Sequence, residues 1–201
     1  MTSEDVIENG WEQIKAGLAL VTLSKLSSWD AQTLKLVPEK EDNFESACRS
    51  IHPDFGRLIC WIAFGVGGEY LSRGAFMLMR KCDPTKPIYV IQPPEQGDDI
   101  EVWVQRVNKK DPSVRKAEFE SAMKFGDLPW KEILSSQPDR DFVSASMKLL
   151  AGKIRNRDAH RYAKSVRAFH FHVVKSLFVP AFNILLALVD QAELRSRLDG
   201  C

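Results

Sequence analysis

The feature that most constrains this chain is a long apolar stretch that carries several glycines yet keeps helical periodicity. Between residues 55 and 81, Leu58, Ile59, Ile62, Val66, Tyr70, Phe76 and Met77 present a broad apolar face, among which stand Gly65, Gly67, Gly68 and Gly74. Each Gly weakens a helix by roughly 0.5–1 kcal/mol relative to Ala. Two readings follow: a long helix whose small residues let another helix approach closely, which is preferred, or a break near Gly67 and Gly68.

Other segments repeat the helical pattern. Ile7, Trp11, Ile14, Leu18 and Val21 recur at spacings of four and three and make one apolar stripe. Thr2, with Asp5 three residues on, resembles a capping signal before it. Weak segments follow, with Pro38 and an acidic run ending this part near Glu45. Residues 139–153 carry Phe142, Met147, Leu149 and Leu150, and residues 166–198 carry Phe169, Val173, Leu177, Phe182, Leu185, Leu186 and Val189. Pro180 should kink or interrupt that last helix, because it lacks a backbone donor and clashes with the preceding turn. The expected fold is all-α, a bundle of four or more helices. With 201 residues, the chain is expected to form a single helical domain over residues 1–201.

An insert at about residues 83–138 separates the second and third long helices. Pro84, Pro87, Pro93 and Pro94 open it. Ile88-Tyr89-Val90-Ile91 and Ile100-Glu101-Val102-Trp103-Val104-Gln105 offer two strands of a small β-hairpin, the second by its apolar–polar alternation. Shorter helical pieces are expected around residues 114–125 and 130–135.

The net charge is +1, which excludes a uniformly basic nucleic-acid coat. Charge is instead concentrated: Lys153, Arg155, Arg157, Arg161, Lys164, Arg167 and Lys175 are opposed only by Asp158 within their stretch. Local charge decides where a polyanion is attracted. The four cysteines show no zinc-type spacing, and Cys60 reads as a small buried hydrophobe. The acidic start does not resemble a secretory signal, and the apolar runs are too short for a bilayer. A reducing cytoplasm is the expected compartment.

The chemistry concentrates in Arg155-Asn156-Arg157-Asp158-Ala159-His160-Arg161-Tyr162, a polar cluster between two apolar helices. Cleaving RNA by internal transesterification requires a deprotonated 2′-hydroxyl, a stabilised phosphorane and a protonated 5′-oxygen. Histidine serves as acid or base near neutrality, and arginine offers a planar donor fork for phosphate oxygens. Asparagine can fix the histidine tautomer or donate to the substrate. No carboxylate cluster suited to magnesium accompanies the motif, so neither metal nor cofactor is expected.

Helical geometry adds a demand. Asn156 and His160 are four apart and lie about 40° from each other on a regular helix, whereas Arg155 and His160 diverge by about 140°. One copy therefore cannot wrap Arg and His around one phosphate without leaving regular helix, and one histidine is too few for separate acid and base roles. A two-fold homodimer would place two histidines and two arginines across one cleft.

With its Arg–polar–three–His spacing, the segment resembles the signature of the HEPN superfamily (higher eukaryotes and prokaryotes nucleotide-binding domain). Tyr162 extends it to the Arg–four–His–one–Tyr form of toxins from HEPN/minimal-nucleotidyltransferase pairs. The resemblance covers residues 55–81 and about 139–188 and does not cover the insert. It implies a helical bundle, a homodimer with a composite site, and metal-independent endoribonuclease activity of a toxin or antiviral effector. Arg155 and His160 would be catalytic, with Asn156 supporting them. Tyr162 would match the tyrosine that an antitoxin nucleotidyltransferase adenylylates. Arg157, Arg161 and Lys164 would hold the RNA backbone. Glu69, in a helix that looks like a core helix of the family, would face the cleft.

The alternatives lie alongside. Glu69 either faces solvent or, if buried, needs a cation, for which Arg155 is the nominated partner. His170 and His172 point to different helix faces and do not make a metal site without another ligand. A HEPN domain that binds RNA or a nucleotide without cutting it, or serves as a dimerising adaptor, is the competing function.

Overall fold

The computed structural model describes residues 3–79, 88–95, 97–118, 130–150 and 171–198. The protein is a helical bundle with small two-stranded sheets, and it forms two compact units, Met1–Cys82 with Lys124–Cys201, and Asp83–Met123.

The bundle is built on α1 (Ser3–Leu23) and α3 (Gly56–Leu78). The stripe on α1 buries as its spacing requires: Trp11, Ile14, Leu18 and Val21 are core residues, and Ile7 packs against them. The glycines of α3 do not break it. A Cβ on Gly67 would stand 2.7 Å from Val21 Cγ2 and 2.9 Å from the Gly17 carbonyl oxygen, and one on Gly74 would stand 2.8 Å from the Gly10 carbonyl oxygen. The two helices thus run antiparallel, with Gly10 and Gly17 of one meeting Gly74 and Gly67 of the other. Repeats of seven keep both contacts on one face. Close approach, rather than flexibility, explains these glycines.

Between α1 and α3 the chain makes an element that the sequence shows weakly. Ser24 Oγ donates to the Val21 carbonyl and accepts from Leu26 N–H, ending α1. An antiparallel hairpin follows, β1 (Ser27–Asp30) with β2 (Lys35–Pro38), in register from Ser27 opposite Pro38 to Asp30 opposite Lys35. At its turn the Asp30 carboxylate accepts from Gln32 N–H and Thr33 Oγ1, and these bonds hold its pKa below the ordinary value. Helix α2 (Glu41–Ile51) then lays Phe44 and Cys48 onto α3.

The other side of α3 receives the C-terminal part. Here α5 (Gln137–Leu149) contributes Val143, Met147 and the adjoining Leu150, all fully buried. Pro180 distorts the helix without interrupting it: a π-helical turn at Val174–Phe178 runs directly into α6 (Val179–Ala187), with the proline in the first turn of α6, and the chain leaves helix only after Ala187. This places Phe178 and Phe182 on Phe64, at ring-centroid distances of 5.9 and 5.3 Å. Asn183 of α6 ties the hairpin to the bundle in the manner of a third strand. Leu36 N–H donates to its Oδ1 at 2.8 Å, and its Nδ2 donates to the Leu36 carbonyl at 2.9 Å. Finally α7 (Gln191–Leu198) returns to α1, where Arg197 pairs with Glu8 at 2.8 Å and lies over the Trp11 ring. The hydrogen bond from Arg197 lowers the Glu8 pKa.

The unit Asp83–Met123 corrects the expected hairpin. Residues 100–105 are not a strand but the start of α4 (Ile100–Asn108). Asp99 decides this: its Oδ1 accepts from the N–H groups of Glu101 and Val102, satisfying donors at a helix start. The partner of β3 (Ile88–Ile91) is β4 (Arg115–Glu118), antiparallel with Ile91 opposite Arg115, where a helix was expected.

If close approach explains the glycines, the usual effect of a helical Gly→Ala change should reverse. Gly67→Ala and Gly74→Ala should each destabilise by about 1–3 kcal/mol through overpacking, rather than stabilise, in urea unfolding.

Candidate functional site

The residues expected to do chemistry, Arg155, Asn156 and His160, lie outside the described residues, as do Arg157, Arg161, Tyr162 and Lys164. His170 is outside them as well. What the structure does describe is the framework on either side of that segment and the one supporting residue assigned to α3.

Leu150, at the end of α5, precedes the segment. Its Cδ2 would stand 2.6 Å from a Cβ on Gly68, and Phe182 approaches the same point at 2.5 Å. The missing side chain at Gly68 is therefore what seats the end of α5 on α3. Phe171 follows the segment, is buried, and packs on Phe44 of α2 with ring centroids 5.6 Å apart. Both flanks of the segment are thus anchored to the bundle through core contacts.

Glu69 is 8% exposed, which settles its two readings in favour of burial. A buried carboxylate needs a cation, and the structure supplies Arg73 one turn further along α3, with Nη2 2.8 Å from Oε1. The i,i+4 order, acid before base, suits the helix dipole. Arg155, the nominated partner, lies outside the described residues. Between the paired residues, Ser72 donates from Oγ to the Gly68 carbonyl at 2.8 Å and lies 3.6 Å from the Met147 sulfur of α5. Gly68, Glu69, Ser72 and Arg73 therefore form a polar strip in the middle of an apolar helix, beside the helix that leads into the motif segment.

Sequence reasoning singled out Glu69 and missed Arg73 and Ser72. The signal was present in the Glu–three–Arg spacing, which marks an intrahelical pair. The pair sets a buried carboxylate against a partly buried guanidinium on the same helix.

His52 and His172 are the histidines in described positions. His52 Nδ1 accepts from the N–H groups of Asp54 and Phe55, organising the turn before α3. His172 is exposed, and its carbonyl accepts from Ser176 Oγ. No cluster of three or more His, Cys, Asp or Glu able to hold a metal occurs among the described residues, and no single helix among them is long and apolar enough to cross a membrane.

No family model, curated protein or solved structure matches the chain.

The ion pair generates a stability test. Glu69→Ala or Arg73→Ala alone should cost about 3 kcal/mol, because each leaves a buried charge without its neighbour. The double variant Glu69→Leu/Arg73→Met should cost less than the two single losses together, as read by a double-mutant cycle in urea.

Proposed function

We propose that this protein is a HEPN-type endoribonuclease that cleaves RNA by metal-independent transesterification. The observation that carries the reading is the run Arg155-Asn156-Arg157-Asp158-Ala159-His160-Arg161-Tyr162, set in a chain whose fold is a helical bundle. In this reading His160 moves the proton between the 2′-hydroxyl and the 5′-oxygen, Arg155 neutralises the charge that develops on the phosphorane, and Asn156 orients the imidazole. Arg157, Arg161 and Lys164 hold the flanking phosphates. The Glu69–Arg73 pair supports the α3 side of the cleft.

Two chains complete one cleft in this account, because one copy supplies a single histidine and diverging Arg and His directions. Single-stranded RNA is the favoured substrate, since its backbone can bend into a narrow cleft. The biological setting that fits is a cytoplasmic toxin or antiviral effector. A partner nucleotidyltransferase would silence it by adenylylating Tyr162.

Incubation of the purified chain with labelled single-stranded RNA in EDTA tests the reading. Cleavage should persist and leave 2′,3′-cyclic phosphate ends. Arg155→Ala should lower the rate on the order of 100-fold, as losing one charge-stabilising donor does, and His160→Ala should abolish cleavage while leaving the melting temperature unchanged. Cleavage that stops in EDTA and otherwise leaves 3′-hydroxyl ends contradicts the mechanism.

A further inference from the structure

Two buried thiols meet where α2 packs on α3. Cys48 and Cys60 are 4% and 1% exposed, both are reduced, and the Cys48 thiol donates to Cys60 Sγ across 3.6 Å. Bonded sulfurs stand about 2.05 Å apart, so roughly 1.5 Å of approach separates this contact from a disulfide. The backbone holds the pair in place. Gly56, the first residue of α3, lies so close to the Cys48 carbonyl that a side chain there would overlap it. His52 N–H also donates to that carbonyl, closing α2.

The two sulfurs are not equivalent. Burial pushes both thiols above their ordinary pKa. At Cys60 the hydrogen bond from Cys48 and the positive charge of Lys25 work against burial, so negative charge on sulfur is better tolerated there. Cys48 carries the shared proton, and there the neighbouring Cys60 adds to burial in disfavouring the thiolate; Glu45 acts in the same direction on both sulfurs, and Arg57 opposes it at Cys48.

We propose that Cys48 and Cys60 form a redox modification site, converted by hydrogen peroxide to a disulfide that locks α2 onto α3. In the first step the Cys60 thiolate sulfur attacks one peroxide oxygen. The O–O bond breaks, hydroxide leaves and takes up a proton to become water, and Cys60 becomes a sulfenic acid. In the second, the Cys48 thiolate attacks the Cys60 sulfur. The S–O bond breaks, and hydroxide leaves with the proton that Cys48 released, as water. Two thiols and one peroxide thus become one disulfide and two waters. Access comes through local opening of α2, an 11-residue helix that buries just Phe44 and Cys48. The consequence reaches the motif flank, because Phe44, one turn before Cys48, is the residue on which Phe171 packs. The inference rests on the geometry of α2 and α3 and stands whether or not the chain cuts RNA.

Treatment of the full chain with hydrogen peroxide, alkylation of remaining thiols and peptide mapping by mass spectrometry test it. The expected product is a peptide pair joined through Cys48 and Cys60, two hydrogens lighter than the reduced pair. The melting temperature should rise by about 5 °C and fall back with dithiothreitol. In Cys48→Ser the Cys60 sulfenic acid should persist and be trapped by dimedone. The mapping of the unmutated chain decides the matter even if that variant does not fold. Alkylated Cys48 and Cys60, separate oxidation to sulfinic acids, or linkage to Cys82 or Cys201 would overturn the proposal. A Cys48–Cys60 disulfide with an unchanged or lower melting temperature would overturn the lock.

Discussion

The approach of α1 to α3 at paired glycines is the contact on which the rest of the bundle depends. With Gly10 and Gly17 facing Gly74 and Gly67, two backbones meet where side chains would normally hold them apart. Interiors packed at crystal-like density do not absorb an added methyl group without displacement. The separation of these helices therefore fixes where the opposite surface of α3 lies, and that surface carries Gly68, Glu69, Ser72 and Arg73. A second close approach, of Phe182 and Leu150 to Gly68, then seats α5 and α6. Glycine on two faces of one helix thus sets the two layers of the bundle.

Burial of the Glu69–Arg73 pair follows from this packing. A helix pressed on two sides leaves little surface for polar groups, and an acid in its middle must carry its own counter-charge. Arg73, one turn further along the same helix, supplies such a partner. It also leaves the polar strip beside the end of α5, where the described framework meets the chain that leads to Arg155. Phe44 and Phe171 anchor the return, so the flanks of the motif-bearing segment are tied to core residues on two different helices.

Much of the bundle was legible because its signals are local. The stripe from Ile7 to Val21, the glycine-bearing helix and the distortion beside Pro180 each arise from residues within a turn or two of one another. The β1–β2 hairpin was not, since Asn183 holds its inner edge from 147 residues away. In the smaller unit, alternation in residues 100–105 suggested a strand, but the Asp99 cap outweighed it. The strand at Arg115–Glu118 has no apolar alternation and is defined by pairing with Ile88–Ile91. The motif from Arg155 to Tyr162 is legible as sequence and carries the functional reading in that form. Of the site's supporting residues, burial of Glu69 was open to two readings, and Arg73, one turn along α3, was legible only from the Glu–three–Arg spacing.

The central claim is that each chain supplies half of an RNA-cleaving site. Mixing tests it most directly: wild-type protein and His160→Ala protein are unfolded together at equal amounts, refolded, and assayed for RNA cleavage at constant total concentration. If both histidines of a two-fold dimer are needed in one cleft, activity should fall to about a quarter of the all-wild-type value, because random pairing leaves that share of fully intact dimers. Activity of about half would mean that each chain works alone, and would contradict the shared site.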